Sequence, residues 1–302
     1  MSPSARSRGE APARREAAGS GSGGAGGRRR LSRPARRVGA LGALLLLGFC
    51  LPALLAPWLA PHDPLALDLL DALAPPGMAH PLGSDAQGGD ILSRLLYGAR
   101  ISLLVGLATV SVAATLGIAV GLLAGYAGGW SEQAAMRAVD VLLAFPGLLL
   151  AIALVAVLGP GLGNVVIALS ALGWTGFARL VRGQVLTVKA RDYVLAAESL
   201  GAGHLRLMLR HILPNILGPV LVQASFGIAG AILSEASLSF LGLGVPAGTP
   251  SWGAMLAEGR TVLVEAPLVS VYPGLAIMAV VLGFNLVGDA LTDWLDPRRR
   301  EG

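Results

Sequence analysis

Three groups of residues in this 302-residue chain have types and spacings that could do chemistry. The first is Glu235, an ionisable side chain inside the apolar run Ile232-Leu233-Ser234-Glu235-Ala236-Ser237-Leu238-Ser239-Phe240. A carboxylate at mid-depth in a bilayer is costly and defaults to a functional role. Counted from Leu217, the 18 residues to Glu235 span about 27 Å of helix, near the far interface of a hydrocarbon core about 30 Å thick. Glu235 and Ser239 are therefore expected at an outer rim or gate rather than in a proton relay. The second group is His80 with Asp85 and Asp90, which has metal-ligand chemistry. Asp and Ser in such turn-rich sequence serve local hydrogen bonding in turns and helix caps, and that is the role assigned to them. The third is the stretch 183–215, GQVLTVKARDYVLAAESLGAGHLRLMLRHILPN, which is basic and amphipathic.

Motifs of enzymes are missing. The chain has no Walker-type Gly-rich phosphate loop, no HExxH and no GxSxG, so nothing in it points to ATP hydrolysis or acyl chemistry. A single cysteine, Cys50, excludes a disulfide framework and a Cys-based metal cluster. His204 and His211 read as surface or interface residues.

The elements that must carry these groups follow from composition. Residues of the hydrophobic set make up 54% and charged residues only 14%, with a mean hydropathy of +0.68. Soluble domains hold about 25% charged residues, so a membrane protein remains. Charge-free stretches run from Val38 to Pro61, Ile101 to Ser131, Val141 to Ala178, Ile216 to Ser234 and Ala266 to Gly288. Each is long enough to span a bilayer as a helix. The longest breaks at Gly159-Pro160-Gly161-Leu162-Gly163-Asn164, a turn sequence. The expected fold is all-α with six transmembrane helices, at about 39–60, 101–124, 139–159, 162–182, 217–243 and 267–289. Gly117, Gly121 and Gly125 recur every four residues; such a stripe lets another backbone approach closely, and an alanine- and glycine-rich chain also produces it by chance. Pro146 and Pro273 fall near helix ends, where they start or kink a helix.

Orientation follows from the cations. Residues 1–37 hold ten arginines among Gly, Ala, Ser and Pro and read as a disordered arm without the interleaved aromatics of a nucleic-acid site. With the amino terminus cytoplasmic, twenty of the 23 Lys and Arg lie on the inner face, leaving only Arg94, Arg100 and Arg260 outside. Both termini are thus expected in the cytoplasm. In the stretch 183–215, Asp192 is expected to cap a short helix that Gly201 and Gly203 end, and a second helix is expected to stop at Pro214. The exposed apolar stripe of such a pair needs a partner.

Ala196-Ala197, then Gly201 and Pro214, resemble the cytoplasmic Glu-Ala-Ala loop of binding-protein-dependent ABC importer permeases, although the family's Glu position falls at Leu195 and Glu198 follows the alanine pair. Arg210-His211-Ile212-Leu213-Pro214-Asn215 is similar to the dipeptide/oligopeptide/nickel branch. His80-Pro81-Leu82-Gly83-Ser84-Asp85 with Gly88 to Arg100, Ser237 to Gly244 with Pro250-Ser251-Trp252-Gly253, and Tyr272-Pro273-Gly274 with Phe284-Asn285-Leu286 and Leu295 to Arg298 resemble further segments of that branch in its order. Gly89 stands where the family usually has Arg.

The resemblance implies a type I ABC importer transmembrane-domain fold. It divides the chain into an arm (1–37), a first span with an external segment (38–100), a core permease domain (101–290) containing the coupling loop 183–215, and a tail (291–302). It implies no cofactor on this chain, with ATP and Mg held by two partner ATP-binding subunits. It further implies a second homologous permease subunit, an extracytoplasmic substrate-binding protein, and location in the bacterial inner membrane. Ala196, Ala197, Glu198, Gly201, His211, Leu213 and Pro214 would form the ATPase-coupling surface. Transport of peptides by alternating access is the implied activity. Nickel or another non-peptide solute is the alternative cargo, and an ion-coupled secondary transporter is the alternative from another class.

Overall fold

The computed structural model describes residues 33–246 and 248–295. Most of the expected arm and the tail from residue 296 lie outside the described residues. The described part is helical, and its single β-type pairing is an isolated bridge between Ser84 and Asp90.

Nine helices position the sites: α1 (Arg33–Leu54), α2 (Ile91–Ala127), α3 (Gly129–Leu143), α4 (Gly147–Leu158), α5 (Leu162–Lys189), α6 (Asp192–Ser199), α7 (His204–Phe240), α8 (Trp252–Gly259) and α9 (Leu268–Leu295). Five of them, α1, α2, α5, α7 and α9, are long and apolar enough to cross a membrane, and α3 with α4 makes a sixth crossing if the pair is taken as one broken span. The pair is bent by 86°. The third span expected over 139–159 is therefore an elbow, with its break at Pro146, where a helix start or kink is expected. Hydropathy reports how long an apolar stretch is, not whether it runs straight. Pro146 lacks an amide proton and sits in extended backbone (φ −60°, ψ 117°), so the helix stops before it and restarts at Gly147.

Two other boundaries shift. The helix expected from residue 101 starts at Ile91, because Asp90 caps it with a side-chain oxygen on the Ser93 amide. At 37 residues α2 is about 55 Å long, so its first turns, bearing Arg94 and Arg100, extend beyond a hydrocarbon layer of about 30 Å. The expected stop at Pro214 is absent. The chain passes from His204 through a π-helical turn, Leu207–Ile212, into the long apolar part of α7. In that turn the Leu213 amide bonds to the Met208 carbonyl, five residues back. The wider turn accommodates the proline ring that an α-turn would exclude, and the Asn215 side-chain amide donates to the His211 carbonyl at 2.8 Å.

The glycine stripe of α2 is its seam with α5. A Cβ on Gly117 would stand 2.3 Å from the Phe177 Cβ, one on Gly121 2.5 Å from the Ala178 carbonyl oxygen, and one on Gly125 3.0 Å from the Val185 Cβ. Between apolar helices in lipid, such close backbone contact supplies the attraction that hydrophobicity does not. By contrast α1 leans mainly on α9, through Gly39 and Gly42, which face Ala290, Leu286 and Gly283, with Phe49 edge-on to Trp252 of α8. Its other side leaves Leu44, Leu47, Leu51 and Leu54 exposed. Replacing Gly121 by Val should destabilise the purified chain by about 1–3 kcal/mol through overpacking. Gly183→Ala, where an added Cβ meets nothing within 4 Å, should leave its thermal melt unchanged or raised; equal melts for the two variants would contradict the seam.

Candidate functional site

The expected coupling stretch forms a compact platform at one end of the helix bundle. α6 ends in a Schellman motif: the Gly201 amide donates to the Glu198 carbonyl at 2.9 Å and the Ala202 amide to the Ala197 carbonyl at 3.1 Å. Gly201 makes this turn with φ +85°, a conformation glycine adopts without a Cβ clash. Arg191, not Asp192, occupies the cap position of α6, without a side-chain bond. Asp192 is the first helical residue, where a carboxylate favourably meets the helix dipole. Gly203 does not end α6 but caps α7.

The platform has two faces. Val194, Leu207 and Ile212 are buried and share one apolar core with Phe177, Val181 and Val185 of α5 and with Ile216 and Val220 of α7. On the other face Leu195, Leu200, Leu205 and Leu209 are exposed, Leu200 at 89%. Ala196, Glu198, Gly201 and Pro214 are exposed too, while Ala197, His211 and Leu213 are half-buried. The platform is anchored to the end of α2 by Tyr126: its hydroxyl lies 2.7 Å from His204 Nδ1, and its carbonyl accepts from Lys189 Nζ at 2.7 Å.

Between α2, the α3–α4 elbow, α5 and α7 lies a cavity of about 350 Å³. Its wall is mainly apolar, with Thr109, Thr175, Gln223 and Ser234 supplying polar groups. These residues carry no charge and sit on three helices distant in sequence, so nothing in the chain read linearly marks them as a set.

Glu235 and Ser239, expected at an outer rim or gate, are buried. Glu235 is 0% exposed; its carboxyl accepts from Ser239 Oγ at 2.8 Å and from Ser102 Oγ of α2 at 3.3 Å, with the Ser251 side chain as a third partner. Ser251 caps α8 through the Ala254 amide at 3.2 Å. The following Trp252 is fully buried and donates from Nε1 to the Leu95 carbonyl at 3.0 Å. Gly253 lies against Ala236 and Ser239, where a Cβ would come within 2.6 Å of backbone. Glu235 thus ties α2, α7 and α8 together, and its depth along α7 did not reveal that α8 folds over it.

Arg94, which sequence reasoning did not single out, is buried between Asp85 and Glu258, with its Nη2 2.8 Å from the Glu258 Oε2. It joins the segment before α2 to α8. Asp85 also accepts from the Gln87 and Gly89 amides at 2.8 and 2.9 Å, so the turn and cap duties expected of Asp85 and Asp90 are both present. The hydrogen bond that the Asp90 carboxylate accepts from the His80 ring, with Asp71 beyond, raises the His80 pKa above the ordinary imidazole value.

Residues 117–301 match the family described as binding-protein-dependent transport system inner membrane component. The chain belongs to this family. It is a membrane-embedded component of a transport system rather than an enzyme, and it works with a substrate-binding protein and other transporter subunits. A di/tripeptide transport system permease protein of Pseudomonas aeruginosa is 47% identical over 87% of this chain and 89% of its own length. A dipeptide transport system permease protein of Alkalihalophilus pseudofirmus is 42% identical over 87% of both chains, and a glutathione transport system permease protein of Pectobacterium atrosepticum 50% over 74% of both. In this permease Glu235→Gln, which keeps acceptor and shape, should melt within about 1 kcal/mol of the native chain, whereas Glu235→Ala should lose about 2–4 kcal/mol by stranding the serine hydroxyls and leaving a void. Similar melts for both would remove the proposed tie.

Proposed function

We propose that this permease carries peptides into the cytoplasm by alternating access, with a second homologous permease subunit, two ATP-binding subunits and an extracytoplasmic substrate-binding protein. The supporting observation is the two-faced platform of residues 192–213: leucines exposed on one side, and Val194, Leu207 and Ile212 set into the core of α5 and α7 on the other. A partner that seats on the exposed leucines moves a rigid unit rather than a loose loop. The same two helices wall the cavity that holds Gln223 and Ser234, so displacement of the platform reshapes the cavity. In this reading ATP and Mg are bound and used by the partner subunits. The peptide class is supported by the named transport systems of the three relatives.

In the same reading both termini are cytoplasmic. The ends of α2 and α5 and the start of α7 meet at Tyr126, Lys189 and His204, and this end carries the platform cations Lys189, Arg191, Arg206 and Arg210. The Asp90 end of α2, with α8 beside it, then faces outward.

Two measurements test the assignment. Purification of the tagged chain from its native membrane should recover two ATP-binding subunits, and robust substrate uptake by this chain alone would contradict the ATP-driven reading. Gly201→Val forces a β-branched residue to φ +85°, a strain of about 1–3 kcal/mol. It should abolish peptide uptake by the assembled transporter while membrane insertion persists, and uptake at native rates would deny the platform its coupling role.

A further inference from the structure

The segment between α1 and α2 gathers two imidazoles and a carboxylate that the proposed coupling does not use. Ligand atoms of His62, His80 and Asp90 all lie within 4.8 Å of one another. Nδ1 of His80 and Nδ1 of His62 stand 3.0 and 3.8 Å from the same Asp90 oxygen, Oδ1. Ligands bound to a tetrahedral ion at about 2.0–2.2 Å are about 3.3–3.6 Å apart, so small side-chain adjustments bring both nitrogens and Oδ1 onto one ion.

The surroundings already orient each donor. Asp90 divides its carboxylate: Oδ2 accepts from the amide and the hydroxyl of Ser93 at 2.8 and 2.7 Å, while Oδ1 turns to the histidines. The far nitrogen of His80, Nε2, lies 3.5 Å from an Asp71 carboxylate oxygen. This is the carboxylate–histidine arrangement that fixes the ring and leaves its other nitrogen for a metal. The His62 backbone amide donates to Ser93 Oγ at 3.1 Å, which holds this residue beside the helix cap. Burial is graded across the group, with the side chains of Asp90, His80 and His62 at 0, 11 and 41% exposure. One side is therefore open for an ion to arrive and for water to complete its coordination. Asp85 is not a member, since its oxygens are taken by Arg94 and two backbone amides.

We propose that His62, His80 and Asp90 form a binding site for a first-row divalent transition metal of the zinc class. Two imidazoles with one carboxylate are borderline donors, which suit zinc and its neighbours and not the all-oxygen preferences of magnesium or calcium. A bound ion clips the residues that follow α1 to the first turn of α2, and so stabilises the segment beside Arg94 and α8. The site does not depend on which solute is carried.

The test uses the full-length chain in detergent, freed of metal by chelation and carrying no polyhistidine tag. Titration with zinc chloride in a calorimeter should give saturable one-to-one binding, and zinc should raise the melting temperature. Magnesium chloride at the same concentration should do neither. His62→Ala removes a half-exposed ring and Asp90→Asn retains an oxygen for the helix cap, so both should melt as the native chain does without zinc. Each should lose at least about tenfold in zinc affinity. The His204→Ala, His211→Ala double variant should bind as the native chain does. Absence of saturable zinc binding, equal binding by His62→Ala, or loss of binding in the double variant would overturn the site.

Discussion

The contact on which the rest of this structure depends is the approach of α2 to α5 along Gly117, Gly121 and Gly125. Lipid tails are as apolar as the side chains they surround, so helices in a bilayer gain little from hiding hydrophobic surface from each other. Dispersion at short range has to hold them, and only a missing Cβ brings two backbones that close. With α5 seated on this seam, its end reaches the same level as Tyr126, and the platform that follows has Val181, Val185 and Val188 to pack upon. The position of the exposed leucines, Leu195 to Leu209, is thus inherited from three glycines far earlier in the chain, Gly117 to Gly125.

At the opposite end of α2 the organising groups are polar. Glu235 joins α2, α7 and α8 through serine hydroxyls, and Arg94 joins the segment before α2 to α8 through two carboxylates. A charged or strongly polar group removed from water persists only with partners close at hand. Each end is held by a different kind of force: small-residue packing and apolar burial under the platform, hydrogen bonds and ion pairs around α8. The cavity with Gln223 and Ser234 lies among the helices they join.

Much of the fold was legible without coordinates. The apolar stretches located the five long spans and the broken α3–α4 pair, the Gly159–Asn164 turn separated α4 from α5, and Gly201 ended the platform's first helix, because in each case one local property suffices: length, turn chemistry, or a left-handed backbone. The errors share a cause as well. The start of α2 at Ile91 and the passage of α7 through Pro214 depend on capping and helix register, which an apolar count does not see, whereas at Pro146, where a helix start or kink was expected, only the 86° angle was new. Proline marked both irregular points, but its outcome differed: Pro146 broke the helix, whereas a π-turn admitted Pro214.

By itself the sequence determined that this is an all-helical membrane protein with five or six apolar crossings, and its motifs pointed to the permease family. Hydrophobicity, turn residues and short motifs act over a few neighbouring positions, and such information survives in a linear chain. Only the tertiary structure decided that Glu235 is enclosed by the serines of α2, α7 and α8, that Arg94 bridges Asp85 and Glu258, that Gln223 and Ser234 share a cavity, and that His62 meets His80 and Asp90. These juxtapositions are set by how helices and connecting segments cross and fold over one another. A side chain's burial and partners belong to that packing, not to the residues on either side of it in the chain.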